Sequence, residues 1–272
     1  MRQIGMITAM LLAGYVGMVA VLALSQTLLL FPRWMLGPSP ALPADAVPLA
    51  AVGQSGVTLQ GHLLPATAGS GTERPLVLGF GGNATDAREL AMYLREVLPE
   101  HDVAGYHYRG YGPSRGRPSA AALLDDALMQ FDALRHQLGE RSVLAVGFSI
   151  GVGPAAHLAR ERPLVGVVLV TPFDSLHAVA RQHYPWLPVA WLLRHRMEPL
   201  AALTATGTPI ALISARRDTI IPAAHAEALA RGLGETIPGV VHTAVIDAGH
   251  NDIYDRSEFR AALREAVQAT GG

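Results

Sequence analysis

The sequence predicts an α/β protein: a mostly parallel central sheet with helices on both faces, a small helical cap, and an N-terminal helix able to cross a membrane. Three observations predict this. Short apolar runs alternate with longer amphipathic segments, the pattern of parallel strands joined by crossover helices. One such run, residues 164–170, is apolar at every position except its glycine, as a strand covered on both faces requires. Residues 4–24 carry no charge, and a helix needs about 20 such residues to span a hydrocarbon core.

The apolar N-terminal run is interrupted by Ser25-Gln26-Thr27 and resumes at Leu28-Leu29-Leu30-Phe31. Pro32, Arg33 and Trp34 follow, and a cation with an aromatic suits a membrane–water boundary. A cleaved signal peptide, with Ala23 and Ser25 before the cut, is an alternative, as is a buried core helix. The run exceeds the usual signal core of about 7–15 residues, which favours an uncleaved anchor. Arg2 plus the terminal amine outweigh Arg33, so the positive-inside rule places the catalytic domain on the extracytoplasmic side. The expected division is an anchor at 1–34, a linker at 35–49 containing Pro38, Pro40, Pro43 and Pro48, and a catalytic domain at 50–272.

Within that domain, alternation over residues 57–64 predicts one arm of a hairpin. A Gly/Ser/Thr-rich loop precedes a short buried strand at 75–80. Gly81-Gly82-Asn83-Ala84 is a turn, residues 86–98 an amphipathic helix, 103–108 a strand, 109–114 a loop and 120–138 a helix. Val143 to Val146 is an apolar run entering Gly147-Phe148-Ser149-Ile150-Gly151. Further strands are expected at 164–170, 209–214 and 243–246, and helices at 223–232 and 257–269. The segment at about 173–203 is too long for a plain crossover. Its Tyr184, Trp186, Leu187, Val189 and Trp191 suggest an apolar cap over a site, with Tyr184 and Trp186 as pocket residues; a crossover helix with packing aromatics is the alternative.

Bulk composition excludes several function classes. A net charge of −1 gives no electrostatic case for nucleic acid. The absence of cysteine removes disulfides, thiolate metal sites and a cysteine nucleophile. A His183/His195 metal pair lacks a carboxylate at ligand spacing, so no metal site is implied there.

The chemistry concentrates at strand ends. A strand turning sharply into a helix at Gly-x-Ser-x-Gly would leave the Ser149 hydroxyl exposed at the carboxyl edge of the sheet. A serine hydroxyl is a weak nucleophile that needs a base, and the base needs an orienting acid. Asp218 follows the strand at 209–214, and His250 follows the strand ending at Ile246. The order Ser…Asp…His accompanies this elbow. Asp218 as a mere helix cap near Pro222, and His250 as a solvated loop residue, are the structural alternatives. Asp174 is the rival acid, whereas Asp247 and Asp252 lie too near His250 in sequence. The backbone N–H groups of Asn83 and Ile150 are the candidate oxyanion donors. Gly79-Phe80-Gly81-Gly82-Asn83-Ala84 also fits a dinucleotide-binding pattern. The next strand, however, ends at Tyr108-Arg109 without the required acid.

Taken together, Phe80-Gly81-Gly82-Asn83-Ala84, Tyr108-Arg109-Gly110-Tyr111-Gly112, the Ser149 pentapeptide, His183-Tyr184-Pro185-Trp186-Leu187-Pro188 and Ala248-Gly249-His250-Asn251-Asp252-Ile253 resemble the α/β-hydrolase superfamily over residues 50–270. Within it, the chain looks like the membrane-anchored bud-emergence type of serine hydrolase, related to protein depalmitoylases; the stretch from Gln26 to Pro32 adds to this likeness. One departure is Gly81, where that group usually has histidine; backbone donors survive such a change. The resemblance implies an α/β-hydrolase fold, no cofactor, and hydrolysis of an acyl ester or thioester. A lipid-like acyl substrate follows from the apolar cap and the anchor. A serine peptidase of aminopeptidase type and a non-catalytic, membrane-tethered binding protein on the same scaffold are the competing functions.

Overall fold

The computed structural model describes residues 1–53, 56–69, 73–234 and 239–271. Part of the Gly/Ser/Thr-rich loop expected before residue 75 lies outside them. The described residues form one eight-stranded sheet: β1 (Val47–Val52), β2 (Thr58–Leu64), β3 (Leu76–Phe80), β4 (Val103–Tyr106), β5 (Val143–Phe148), β6 (Gly166–Val170), β7 (Ile210–Ala215) and β8 (Val240–Ile246). Their spatial order is β1-β2-β4-β3-β5-β6-β7-β8. β1 pairs antiparallel with β2, and β2 with β4. All other pairings are parallel.

The central strands are apolar throughout because each face has its own core. On β5, Val143 and Ala145 face one cluster, while Leu144, Val146 and Phe148 face the other. β6 divides the same way, with Val167 and Leu169 against Val168 and Val170. This is the two-residue alternation of a strand with both sides covered. The first face is covered by α3 (Ala120–Leu138), α4 (Val152–Glu161) and α8 (Ala223–Gly234); the second by α2 (Ala87–Val97) and α9 (Ser257–Ala269). β8 is an edge strand and keeps Val241 and Val245 exposed, so only its last few residues carried a clear strand signal.

Helix starts are fixed by side chains. The Asp86 carboxylate accepts from Arg88 N at 2.8 Å at the head of α2, and Ser119 Oγ accepts from Ala122 N at 3.1 Å at the head of α3. α2, α3, α8 and α9 stand within two residues of their expected bounds.

Two regions differ from the sequence expectation. β1 begins at Val47, inside the stretch expected to be linker, and holds Pro48 opposite His62. Proline is tolerated there because β1 is an edge strand with no further ladder to feed. The N-terminal helix, α1 (Arg2–Leu30), continues unbroken through Ser25-Gln26-Thr27. Those polar side chains bond back to the helix or across to the cap: Ser25 Oγ donates to Val21 O at 2.7 Å, and Gln26 Nε2 to Ala23 O at 2.9 Å.

Between β6 and β7 the chain forms α5 (Leu176–His183), α6 (Val189–Leu192) and α7 (Pro199–Leu203). α7 packs on α4 as a crossover element. α5 and the loop after it rise over the carboxyl edge of the sheet, where β5 ends.

Candidate active site

The site is assembled by the ends of β5, β7 and β8 and the loop after β3. β5 runs directly into a single 3-10 turn, Ser149–Gly151, before α4. Ser149 takes φ of 51°, a left-handed conformation that a non-glycine residue rarely adopts. The glycines around it are required by contact. A Cβ at Gly147 would stand 2.5 Å from Gly151 O, and one at Gly151 would collide with Phe80 O. The elbow therefore passes close against the end of β3, which brings the Gly81-Gly82-Asn83 loop beside the serine. Thr171, at the end of neighbouring β6, has φ of 48°; no feature of the sequence signalled it.

Asp218 and His250 follow β7 and β8. Ser149 Oγ lies 3.0 Å from His250 Nε2, and His250 Nδ1 lies 2.6 Å from Asp218 Oδ2. An ionised carboxylate only accepts, so Nδ1 carries the proton given to Asp218 and Nε2 is left to accept from the serine hydroxyl. All three residues are buried. Asp218 does not cap α8, which starts at Ala223; its other oxygen, Oδ1, accepts from Ile220 N at 2.8 Å and Ile221 N at 2.7 Å in the turn before that helix. The turn and His250 thus use different oxygens of one carboxylate, and the turn fixes the direction of the oxygen that meets His250.

The rival acids are engaged elsewhere. Asp174 Oδ1 lies 2.7 Å from His225 Nδ1. Asp247 pairs with Arg217 at the surface. Asp252 accepts from Gly249 N at 2.7 Å and pairs with Arg256, shaping the turn that presents His250. His195 meets Thr27 and Ala120 rather than His183, and among the described residues no group of three or more metal-ligating side chains is present.

A cavity of about 340 Å³ opens over Ser149. Asn83 and Ile150 line it, together with Leu176 and Tyr184 of the cap. Trp186 does not; it packs edge-on against Tyr15 of α1 and Tyr184, because its loop turns outward after Tyr184. His183 Nε2 donates to Ile220 O at 2.8 Å, tying the cap to the Asp218 loop.

Two groups of residues escaped sequence reasoning. Tyr108 Oη donates to Gly81 O at 2.8 Å, and Tyr111 Oη to Asn83 O at 2.6 Å. Both carbonyls of the glycine loop are thus held from behind. Burial raises the pKa of both phenols, keeping them protonated and donating. The Tyr-Arg-Gly-Tyr-Gly run was the available signal. The second group is in α1: its last residue, Leu30, lines the Ser149 cavity.

No protein-family model matches the chain. Over 224 residues it is 34% identical to an uncharacterized protein of Mycobacterium tuberculosis, covering 80% of this chain and 77% of that one. It is 34% identical over 121 residues to the chicken (Gallus gallus) lysophosphatidylserine lipase ABHD12, covering 42% of this chain and only 32% of the lipase. Among solved structures, the Pyrococcus furiosus esterase Pf2001 superposes with a TM-score of 0.68 at 19% identity, covering 87% of this chain and 96% of that one. Combined with the sheet order and the strand-to-helix elbow, these likenesses show that the chain has the α/β-hydrolase fold and is a relative of the Mycobacterium tuberculosis protein.

Proposed function

We propose that this protein is a membrane-anchored serine hydrolase that cleaves acyl esters or thioesters through an acyl-enzyme on Ser149. The observation that carries the reading is the continuous hydrogen-bonded line from Ser149 Oγ through His250 to Asp218, all buried at one sheet edge. In this mechanism Ser149 Oγ attacks the acyl carbonyl while its proton passes to His250 Nε2. The imidazolium is stabilised by Asp218. The N–H groups of Asn83 and Ile150 hold the oxygen of the tetrahedral intermediate; one such donor contributes about 3 kcal/mol where it has been removed in other enzymes. Collapse expels the alcohol or thiol, which leaves with the proton held by His250. Water then repeats the sequence on the acyl-enzyme, releasing the carboxylic acid and regenerating Ser149.

The apolar lining of the cavity supports an acyl substrate over a peptide. An aminopeptidase needs a carboxylate for the substrate amine, and the described residues lining the cavity include none. The chicken relative is named for a lysophospholipid, an ester with one acyl chain. α1 supports the anchor: it has 29 residues and a mean hydropathy of 2.2 in its most apolar window, and it is exposed along its first seventeen positions. The excess positive charge at the N-terminus favours an extracytoplasmic catalytic domain.

A substrate panel tests the reaction class. Purified full-length protein is assayed on p-nitrophenyl acyl esters, acyl thioesters and aminoacyl amides, beside Ser149→Ala. Ester or thioester turnover that vanishes in Ser149→Ala is expected. Preference for the amides would replace the reading with a peptidase, and turnover surviving in Ser149→Ala would remove the nucleophile.

A further inference from the structure

We propose that α1 is more than a tether: its last turns form one wall of the acyl-chain site, so the substrate's chain runs from Ser149 along α1 into a groove that opens within the bilayer. The inference rests on the hydrolase reading above and names the substrate as an amphiphile with one long acyl chain at the reacting carbonyl.

The groove lies between α1 and the cap and measures about 230 Å³. It shares Leu30, Leu176, Ala180 and Tyr184 with the cavity over Ser149, so the two adjoin across these four residues. Beyond those shared residues its walls are apolar, from Leu22 and Leu29 on α1 to Leu187, Leu192 and Leu193 on the cap. Gln26 is the one amide in the lining, and its polar atoms are already used. Nε2 donates to Ala23 O and to Leu192 O at 2.8 Å, and Oε1 accepts from Arg194 N at 2.9 Å. A groove lined mainly by apolar side chains, with its one amide already bonded, favours a hydrocarbon over any headgroup.

The wall is fixed rather than adventitious. Thr27 Oγ1 meets His195 Nε2 at 2.9 Å, Arg194 donates to Ala23 O at 2.7 Å, and Phe31 is buried in the main core. Farther up the helix, Tyr15 Oη donates to Trp186 O at 2.9 Å. That contact sets the depth of the cap. With about 1.5 Å of rise per residue, Tyr15 lies roughly 22 Å along the helix from Leu30, near the middle of the uncharged run. The cap edge carrying Trp186 and the almost fully exposed Trp191 therefore reaches into the lipid. Leu22 and Ala23, at the far end of the groove, sit in the same uncharged run. A chain can thus pass from the leaflet into the groove without crossing water.

The test uses the full chain in lipid nanodiscs and a fluorophosphonate bearing a long alkyl chain with a terminal diazirine. After reaction and illumination, peptides are mapped by mass spectrometry. The expected result is phosphonylation of Ser149 with the diazirine inserted into residues 21–30 or 187–193. Phosphonylation of Ser149 with insertion elsewhere, for instance beside Tyr254, overturns the groove while leaving the hydrolase intact. No phosphonylation of Ser149 removes the hydrolase reading and the groove with it. A second measurement takes Leu22→Trp and Leu193→Trp, which fill the groove, and compares kcat/KM on hexadecanoyl and butyryl esters. The long-to-short ratio is expected to fall about tenfold or more. An unchanged ratio, including equal loss on both esters, overturns the proposal.

Discussion

Asp218 shows how much one side chain can settle. Its Oδ1 is held by two backbone N–H groups and its Oδ2 by His250, so neither oxygen is free to rotate away. Replacing it with asparagine keeps the shape but offers the imidazole a neutral partner and invites the wrong tautomer. Asp218→Asn is expected to lower kcat about a thousandfold or more. Asp174→Asn, whose carboxylate meets His225 instead, is expected to stay within severalfold; steady-state kinetics on a short ester separates them, and equal losses would reassign the acid. Tyr108→Phe removes the hydroxyl under Gly81 O and leaves a buried carbonyl unpaired, at a cost of about 1–3 kcal/mol in stability. It should also lower kcat more than it raises KM, because the glycine loop would be less well held. Denaturant melts and a kcat-against-KM split check both halves. At this scale the juxtaposition of Ser149, Asp218 and His250 was legible, since the chemistry expected of them needs particular residue types at strand ends. The tyrosines under the glycine loop were not, because a phenol reaching a backbone carbonyl from another loop leaves no spacing in the sequence.

Among the elements, the buried strands and amphipathic helices announced themselves through periodicity, and α3 and α9 have their expected bounds. β1 did not, because Pro48, with the prolines before it, reads as linker and exposure at an edge weakens the apolar signal. The docking of α1 onto the domain was also hidden, for it depends on contacts between residues far apart in the chain. His195 is central to that docking. Ala120 N donates to its Nδ1 at 3.3 Å, which requires the neutral ring, and leaves Nε2–H for Thr27. Burial first, and Arg194 second, lower its pKa below 6.5. The folded protein therefore binds less proton at this site than the unfolded chain. The contribution of His195 to docking is fully present above about pH 6.5 and is eroded as the pH falls below that value. Hydrogen exchange of amides 27–31 should accelerate between pH 7 and 5 relative to the intrinsic rate. His195→Gln, which can accept and donate at the same positions without titrating, should flatten that dependence. An identical pH response in both proteins would assign the effect to another group.

For the whole molecule, α1 and the domain after it are less separable than the expected boundary near residue 34 implies. Leu30 faces the cavity over Ser149, and Phe31 lies in the main core, so removing α1 would open that cavity and, on the proposed anchoring, release the protein from the membrane. The full chain made in cells should therefore resist extraction by alkaline carbonate and keep its N-terminal residues by intact mass. A mature protein starting near Gln26 would instead identify a cleaved signal peptide. Fold class was legible because alternation and two-sided burial are local properties. The joining of α1, cap and site was not, because it is a property of the assembled chain. The central claim is that Ser149 is the nucleophile of this assembly, and active-site labelling tests it most directly. Full-length protein is treated with a fluorophosphonate probe and digested, and the adduct is located by tandem mass spectrometry. Stoichiometric modification of Ser149, absent after prior denaturation and strongly slowed in His250→Ala, is the expected result; no adduct on Ser149, or equal labelling of denatured protein, would contradict it.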